Sequence, residues 1–387
     1  MTNSHRIVEM PDPIWDMIIV GGGLSGLSLA VEMAQPEFSH LRVLILEKRG
    51  HYERDRTWSY WPRGKHRYIG LERRQWSRWC VKVDSRHAEQ QSASGYSSID
   101  ADTFYSFARS QIDAAPHVHL ELDVVVTDLV EGSIPVVVLA DGRRLAAKWV
   151  MDARPLPKPN AKALCQHFVG WEIEATQDCF DENVVELMDF QRNPDGLHFF
   201  YTLPYSRRQA LIETTWISPN GHQPDYAAEI QTYLAKRYGV TAWRCLYVEQ
   251  GRLDLESEPR RVTCARVVPL GRAAGTLRPA TGFAFLETIA DAERIARCIR
   301  RSGIDGAVIA AYRRSQVDRW MDRLFLQAMK QNWHVAPNFF LAMFSGVCGQ
   351  TLVDFLAGKS AISQRLKVSW QLPKLPFLRA AMRMLTS

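Results

Sequence analysis

At 387 residues, with 46% hydrophobic and 23% charged positions, the chain has room for two or three structural units and a sizeable core. Its net charge of +6 comes with no nucleic-acid module and no basic run interleaved with base-stacking aromatics, so nucleic acid is excluded as an expected partner. The seven cysteines are scattered, odd in number and without C-x-x-C spacing, which excludes a disulfide frame and a zinc or other metal site and predicts reduced thiols in a cytoplasmic protein.

Residues 1–15 read as a short polar arm without a signal-peptide pattern. An apolar run, Met17 to Val20, then leads into Gly21-Gly22-Gly23-Leu24-Ser25-Gly26 and a helix of small residues. Gly21, Gly23 and Gly26 stand at the three positions of the dinucleotide fingerprint: tight turn, close approach to a pyrophosphate, and close helix–strand packing. The helix start, with Leu24 and Ser25, would aim unpaired N–H groups at the phosphates. A second apolar strand, Leu41 to Leu46, ends at Glu47, about 20 residues past the glycines, where a ribose hydroxyl needs an acceptor. A dinucleotide is expected here.

His51 to Trp79 is dense in Arg, Tyr and Trp and leaves the second strand beside the cofactor. Lys48, Arg56, Thr57 and Trp58 are therefore placed to wrap the adenine–ribose end or to reach a flavin ring. A helix is predicted over Ile99–Ala114, capped by Asp100 or Asp102. Strands follow at His119–Val126, Ile134–Leu139 and Leu145–Met151, with an Asp141-Gly142 hairpin between the last two. The third closes on Met151-Asp152-Ala153-Arg154, similar to flavin-dependent monooxygenases, in which a β-meander returns the chain to the dinucleotide sheet.

From Cys165 to about Thr263 aromatic alternation suits an antiparallel sheet lining a cavity, interrupted by a helix at Tyr226–Arg237. Val267–Gly275 returns as strand and glycine turn through Gly271, and Pro279 to Phe285 opens a long helix through Arg300. Thr281 or Gly282 at its start would aim N–H groups at a flavin edge, and Asp152, Gly271 and Pro279 are expected cofactor contacts beside them. The remainder is mostly helical. Asn338–Phe355 reads as one amphipathic helix, and the tail from Arg365 mixes apolar residues with cations, as in a monotopic surface helix or a core helix. No window of about 18 residues is apolar enough for a transmembrane span. The expected architecture is α/β: a Rossmann-like FAD-binding domain with a β-meander (1–160 and 263–303), an inserted antiparallel-sheet substrate domain (161–262) and a helical C-terminal region (304–387) with possible membrane contact.

These pieces together resemble the bacterial flavin-dependent lycopene β-cyclase family nearly end to end. The resemblance rests on Val20 to Gly26, Thr57-Trp58-Ser59-Tyr60, Met151 to Arg154, Leu187-Met188-Asp189, Phe199 to Pro204, Leu211-Ile212-Glu213-Thr214-Thr215, and Arg278-Pro279-Ala280-Thr281-Gly282-Phe283. Two departures stand out. The family usually has a second acid where Thr214 stands, and related flavoproteins often have Gly-Asp where this chain has Gly271-Arg272.

The resemblance implies non-redox cyclisation of lycopene ends to β-ionone rings, with reduced FAD stabilising a carbocation and NAD(P)H only as electron source. It implies lycopene or a related linear carotenoid as substrate, and a protein held peripherally at the inner face of the membrane. Nothing in the sequence bears on oligomeric state. Glu213, on an apolar aromatic strand, is the expected acid, since desolvation would keep its proton near neutrality; a solvent-facing strand glutamate is the alternative. Trp58, Tyr60, Phe200, Tyr201, Trp216 and Phe283 are the expected rings around the polyene. The rival readings are an FAD-dependent monooxygenase or polyprenyl reductase acting on a lipid, and a non-catalytic carotenoid-binding flavoprotein.

Overall fold

In the computed structural model, which describes residues 15–157, 162–219 and 222–386, the apolar run before the glycines is the strand Trp15–Val20, its last four residues buried. The polar arm expected at 1–15 lies outside the described residues except for Trp15. Val43–Leu46 and Arg144–Asp152 flank this strand in parallel, and Val118–Glu121 and Val267–Pro269 extend the parallel set. Strands buried on both faces are near-continuously aliphatic, as these are. The helix Leu24–Met33 packs Leu27, Ala30 and Val31 into the same core as Ile289, Ala292 and Ile295 of the helix Phe285–Gly306. The expected meander is present as Val126–Val130, Val136–Leu139 and Arg144–Asp152, turning through Gly142 at φ +91°.

An eight-stranded sheet forms the second layer, in the order Trp243–Asp254, Leu164–Ala175, Gln209–Pro219, Leu197–Pro204, Val184–Gln191, Arg74–Val83, Arg86–Asp100, Thr57–Tyr60. It is not confined to 161–262, because three of its strands come from residues 57–100, joined through the parallel pairing of Val184–Gln191 with Arg74–Val83. Helix Tyr226–Tyr238, capped by the Asp225 carboxylate and ended by Gly239 at φ +67°, covers one face with Ile230, Tyr233 and Leu234. The C-terminal helices cover the other face, packing Phe339, Phe340 and Phe344 against Trp79, Phe190 and Phe199. Side chains alternate between faces along each strand, so residue parity on this sheet decides function.

Several expectations are corrected. His119–Val126 is two strands in different positions, Val118–Glu121 and Val126–Val130, divided at Asp123, whose φ of +58° an aspartate tolerates. Asn338–Phe355 is two helices, Pro337–Gly346 and Gly349–Leu356, separated by extended Val347 and Cys348 between two poor helix formers, Gly346 and Gly349. The helix from Phe285 runs to Gly306, with Gly303 non-helical. Asp100 occupies the N-cap position of Ala101–Asp113 but makes no cap bond; its carboxylate pairs with Arg54 and Arg73. No helix among the described residues is long and apolar enough to cross a membrane, and the seven cysteines form no disulfide.

Candidate active site

One cavity of about 1510 Å³ runs from the glycine loop, past the inner face of the eight-stranded sheet, to the C-terminal helices. Sites for one small ligand are commonly about 300–1,000 Å³, so the space suits more than one molecule. Its first end is built by Gly21, Gly23, Leu24, Ser25, Glu47 and Lys48. Gly26 is forced by packing, since a Cβ there would lie 1.9 Å from the Gly21 carbonyl oxygen. Glu47 is buried and partly engaged: its carboxylate accepts from Gly22 N at 2.6 Å and Arg49 N at 2.9 Å, fixing the loop. Burial pushes that carboxyl up, but the Arg49 contacts outweigh burial and hold it below the usual range. The donors at the helix start and the acid closing the second strand fit a dinucleotide.

Arg56, Thr57, Trp58, Gly271, Thr281, Gly282 and Phe283 also line the cavity. Gly271, at φ +57°, abuts Ser25. Thr281 N and Gly282 N do not point at a ligand, because both donate to the Arg278 carbonyl, at 3.2 and 2.8 Å; the helix itself starts later, at Phe285. Pro279 and Asp152 do not line the cavity. The Asp152 carboxylate is buried and held by Arg154 at 2.9 Å and by Arg260, so it braces the strand end instead. Arg272, where related flavoproteins often have Asp, lines the cavity and turns its guanidinium toward Asp254 at 3.5 Å.

Glu213 lies mid-strand in Gln209–Pro219, is 8% exposed and faces the cavity. Burial, then the charge of the neighbouring Glu249 and a hydrogen bond to it, push its carboxyl well above the ordinary value. Thr215 and Ile217 share its face, whereas Thr214 and Trp216 point to the opposite one. Trp216 is therefore removed from the polyene's surroundings: it stacks on His198, 4.3 Å between centroids, and its indole donates to Glu229. Phe200 is likewise turned away, stacked on Tyr233 at 3.7 Å, while Phe199 and Tyr201 on the same strand face the cavity. Tyr60 also lies outside it, stacked on Phe285 and donating to Glu72. Of the expected rings, Trp58, Tyr201 and Phe283 line the cavity, and Trp61, Tyr96 and Phe168 join them. Parity counted from Glu213 along its own strand was the available signal for Trp216, while the facing of Phe200 follows from the register that sets Tyr201 opposite Glu213.

Thr214 hydrogen-bonds Glu229 beneath helix Tyr226–Tyr238, so the position of the family's second acid faces away from the cavity. The acid that does reach Glu213 is Glu249, from the strand Trp243–Asp254, 3% exposed. Sequence reading missed it because it lies in a strand interleaved with Arg, Gln and Cys, with only spacing along one strand visible.

The lycopene cyclase protein family model matches residues 16–382. Over 401 residues the chain is 24% identical to the lycopene beta-cyclase of Pantoea ananas, covering 97% of this chain and 99% of that protein. It is 27% identical over 380 residues to the lycopene beta-cyclase of a Paracoccus sp., covering 93% and 95%. Among solved structures, a geranylgeranyl bacteriochlorophyll reductase-like protein of Thermoplasma acidophilum aligns with a TM-score of 0.62 at 13% identity, over 95% of this chain and 98% of that one. The flavin-dependent monooxygenase PieE, solved with FAD and substrate, aligns with a TM-score of 0.59 at 13% identity, over 94% and 72%. These likenesses establish an α/β fold shared with flavin-dependent monooxygenases and reductases. The match across nearly the whole sequence settles the kinship: the chain belongs to the lycopene cyclase family.

Proposed function

We propose that the protein is a lycopene β-cyclase that closes linear ends of lycopene into β-ionone rings without net electron transfer. The carrying observation is Glu213: a buried carboxyl, pushed well above its ordinary value, that faces an apolar cavity continuous with the glycine loop. Glu213 gives its proton to the terminal double bond, which leaves a tertiary cation. The neighbouring double bond attacks it and closes the ring. The Glu213 carboxylate then removes a ring proton, restoring the acid, so substrate and product have the same mass. Trp61, Tyr201 and Phe283 line the cavity, and each ring face turned to the cation in a dry site contributes about 2 kcal/mol.

Gly21, Gly23, Leu24, Ser25, Glu47 and Lys48 would hold FAD, and Trp58 and Gly271 line the same cavity. When bound in reduced, anionic form, the flavin supplies negative charge to the cation across a low-dielectric space. NAD(P)H serves only to prime it.

Incubation with lycopene, FAD and NADPH tests the proposal. Ring-bearing product of unchanged mass supports it. A product heavier by oxygen or hydrogen belongs to a monooxygenase or reductase, and unaltered lycopene belongs to a carrier.

Lycopene must come from a bilayer. The cavity's far end is lined by Trp320, Leu372, Phe377 and Leu378, and beside it Leu366, Trp370, Met382 and Leu385 are exposed at 66%, 76%, 60% and 86%. Lys367, Lys374 and Arg379 lie on the same helices, Ile362–Gln371 and Lys374–Thr386, a pattern suited to an interfacial position at the inner face of an anionic membrane. The double substitution Trp370→Asp and Leu378→Asp is expected to remove the protein from the floating fraction in liposome flotation while its flavin content stays unchanged. Equal flotation of variant and wild type would contradict this docking face.

A further inference from the structure

Glu213 belongs to a row of register partners across four adjacent strands: Tyr201, Glu213, Gly170 and Glu249. Side chains in such a row point to one face. Glu213 and Glu249 are two strands apart, about 9–10 Å along the hydrogen-bonding direction, so a side chain between them would ordinarily separate their carboxyl groups. Position 170 has none. A Cβ there would stand 2.8 Å from Glu213 Cγ and 3.2 Å from Glu249 Cγ. Both side chains lean over this bare stretch of backbone, and their carboxyl groups hydrogen-bond to each other.

The surroundings of the two differ. Glu249 is 3% exposed and does not line the cavity; its Oε2 accepts from Thr57 Oγ1 at 2.8 Å. Arg54 lies on its side, paired with Asp100 and Glu172 and placed over the Tyr247 ring at 3.8 Å. Glu213 faces the cavity, with Tyr201 across the next strand and Tyr96 hydrogen-bonded to Tyr201 at 3.1 Å. Both phenols stay neutral, because burial pushes them up. Two carboxyl groups in contact in such a place do not both stay ionised at rest, so the resting pair holds a proton between them. A hydroxyl donor and a cation favour charge on Glu249, which leaves the proton on Glu213.

We propose that Glu249 is a positioning residue that forms a proton-sharing dyad with Glu213, keeping the acid loaded before ring closure and making it a strong base afterwards. The inference rests on the reading of Glu213 as the cyclase acid. With one proton the dyad carries a single negative charge. Rotation about the soft terminal torsion of Glu213 brings the proton from Glu249 to the cavity. There the alkene's π pair forms the new C–H bond and the dyad is left with two charges. After the C–C bond closes, the ring cation's C–H pair becomes the ring double bond. That proton returns to Glu213, relieving the repulsion between the two carboxylates.

The test compares pH–rate profiles of the flavin-loaded wild type, Glu249→Gln and Glu213→Gln. The amide introduced by Glu249→Gln would carry no charge and could donate an N–H to the Glu213 carboxylate. The alkaline limb of the Glu249→Gln profile is therefore expected to move down by at least about one pH unit, an approximately tenfold loss of rate on that limb. An unmoved limb with wild-type rates overturns the dyad, while inactivity of Glu213→Gln in the same series shows that the acid assignment still stands. Wild-type activity in Glu213→Gln would instead remove the acid assignment itself, and the dyad with it. If Glu249→Gln fails to fold, infrared spectra of the wild type carry the test. A protonated-carboxyl C=O band at neutral pH, absent in Glu213→Gln, is expected; a wild type with only carboxylate bands overturns the proposal.

Discussion

Glu213→Gln is expected to lose ring formation by at least about a hundredfold, the lower end of what a positioned general acid–base group contributes. The substitution is nearly isosteric and removes no packing volume, and a glutamine buried where a protonated carboxyl stood carries no charge penalty. Purified variant protein should therefore fold and retain flavin at the wild-type ratio. Loss of activity with retained flavin is the informative combination, because the glycine loop and Glu213 occupy different stretches of one cavity. Chromatography of carotenoids after incubation measures the first quantity, and the flavin absorbance of the purified protein the second. A variant that still forms rings at the wild-type rate would show that the proton comes from elsewhere.

Gly26→Ala is expected to give a protein without flavin, even though the change adds a single methyl group. That methyl would lie 1.9 Å from the Gly21 carbonyl oxygen, far inside van der Waals contact with rigid backbone. Ile19 Cγ2, at 3.2 Å, blocks relief on the strand side. The helix start must therefore move away from the strand, and the N–H groups of Leu24 and Ser25, proposed to hold the phosphates, move with it. Colourless protein after purification, with cyclisation lost and not restored by moderate excess FAD, is the expected result. Full flavin occupancy would mean that the loop binds its ligand in another way.

How much of this was legible in the sequence depends on how local each signal is. The glycine loop is contiguous, so its glycines, its strand and the closing Glu47 were readable; the structure brings Gly21, Gly23 and Glu47 to one end of the cavity, while Gly26 packs against the strand. The helix at Tyr226–Tyr238 was readable because its capping Asp225 and terminating Gly239 bracket it. The hairpin of Arg74–Val83 and Arg86–Asp100 was missed: its polar face carries Arg78, Lys82, Glu89 and Gln91, and Gln90 to Gly95 has little strand preference. Phe200 and Trp216 were selected for aromaticity, yet strand parity turns both toward helix Tyr226–Tyr238. Glu249 was the least accessible. Its partnership with Glu213 exists only after Gly170 is set between them by the register of three strands.

The central claim, ring closure by proton transfer with no electrons consumed, is tested most directly by counting turnovers per reducing equivalent. The flavin is reduced once under anaerobic conditions, the reductant is removed, and lycopene is supplied in vesicles in large excess. Many rings formed per flavin, with the flavin still reduced at the end, is the predicted result. Ring formation that stops at one turnover as the flavin becomes oxidised would contradict the account.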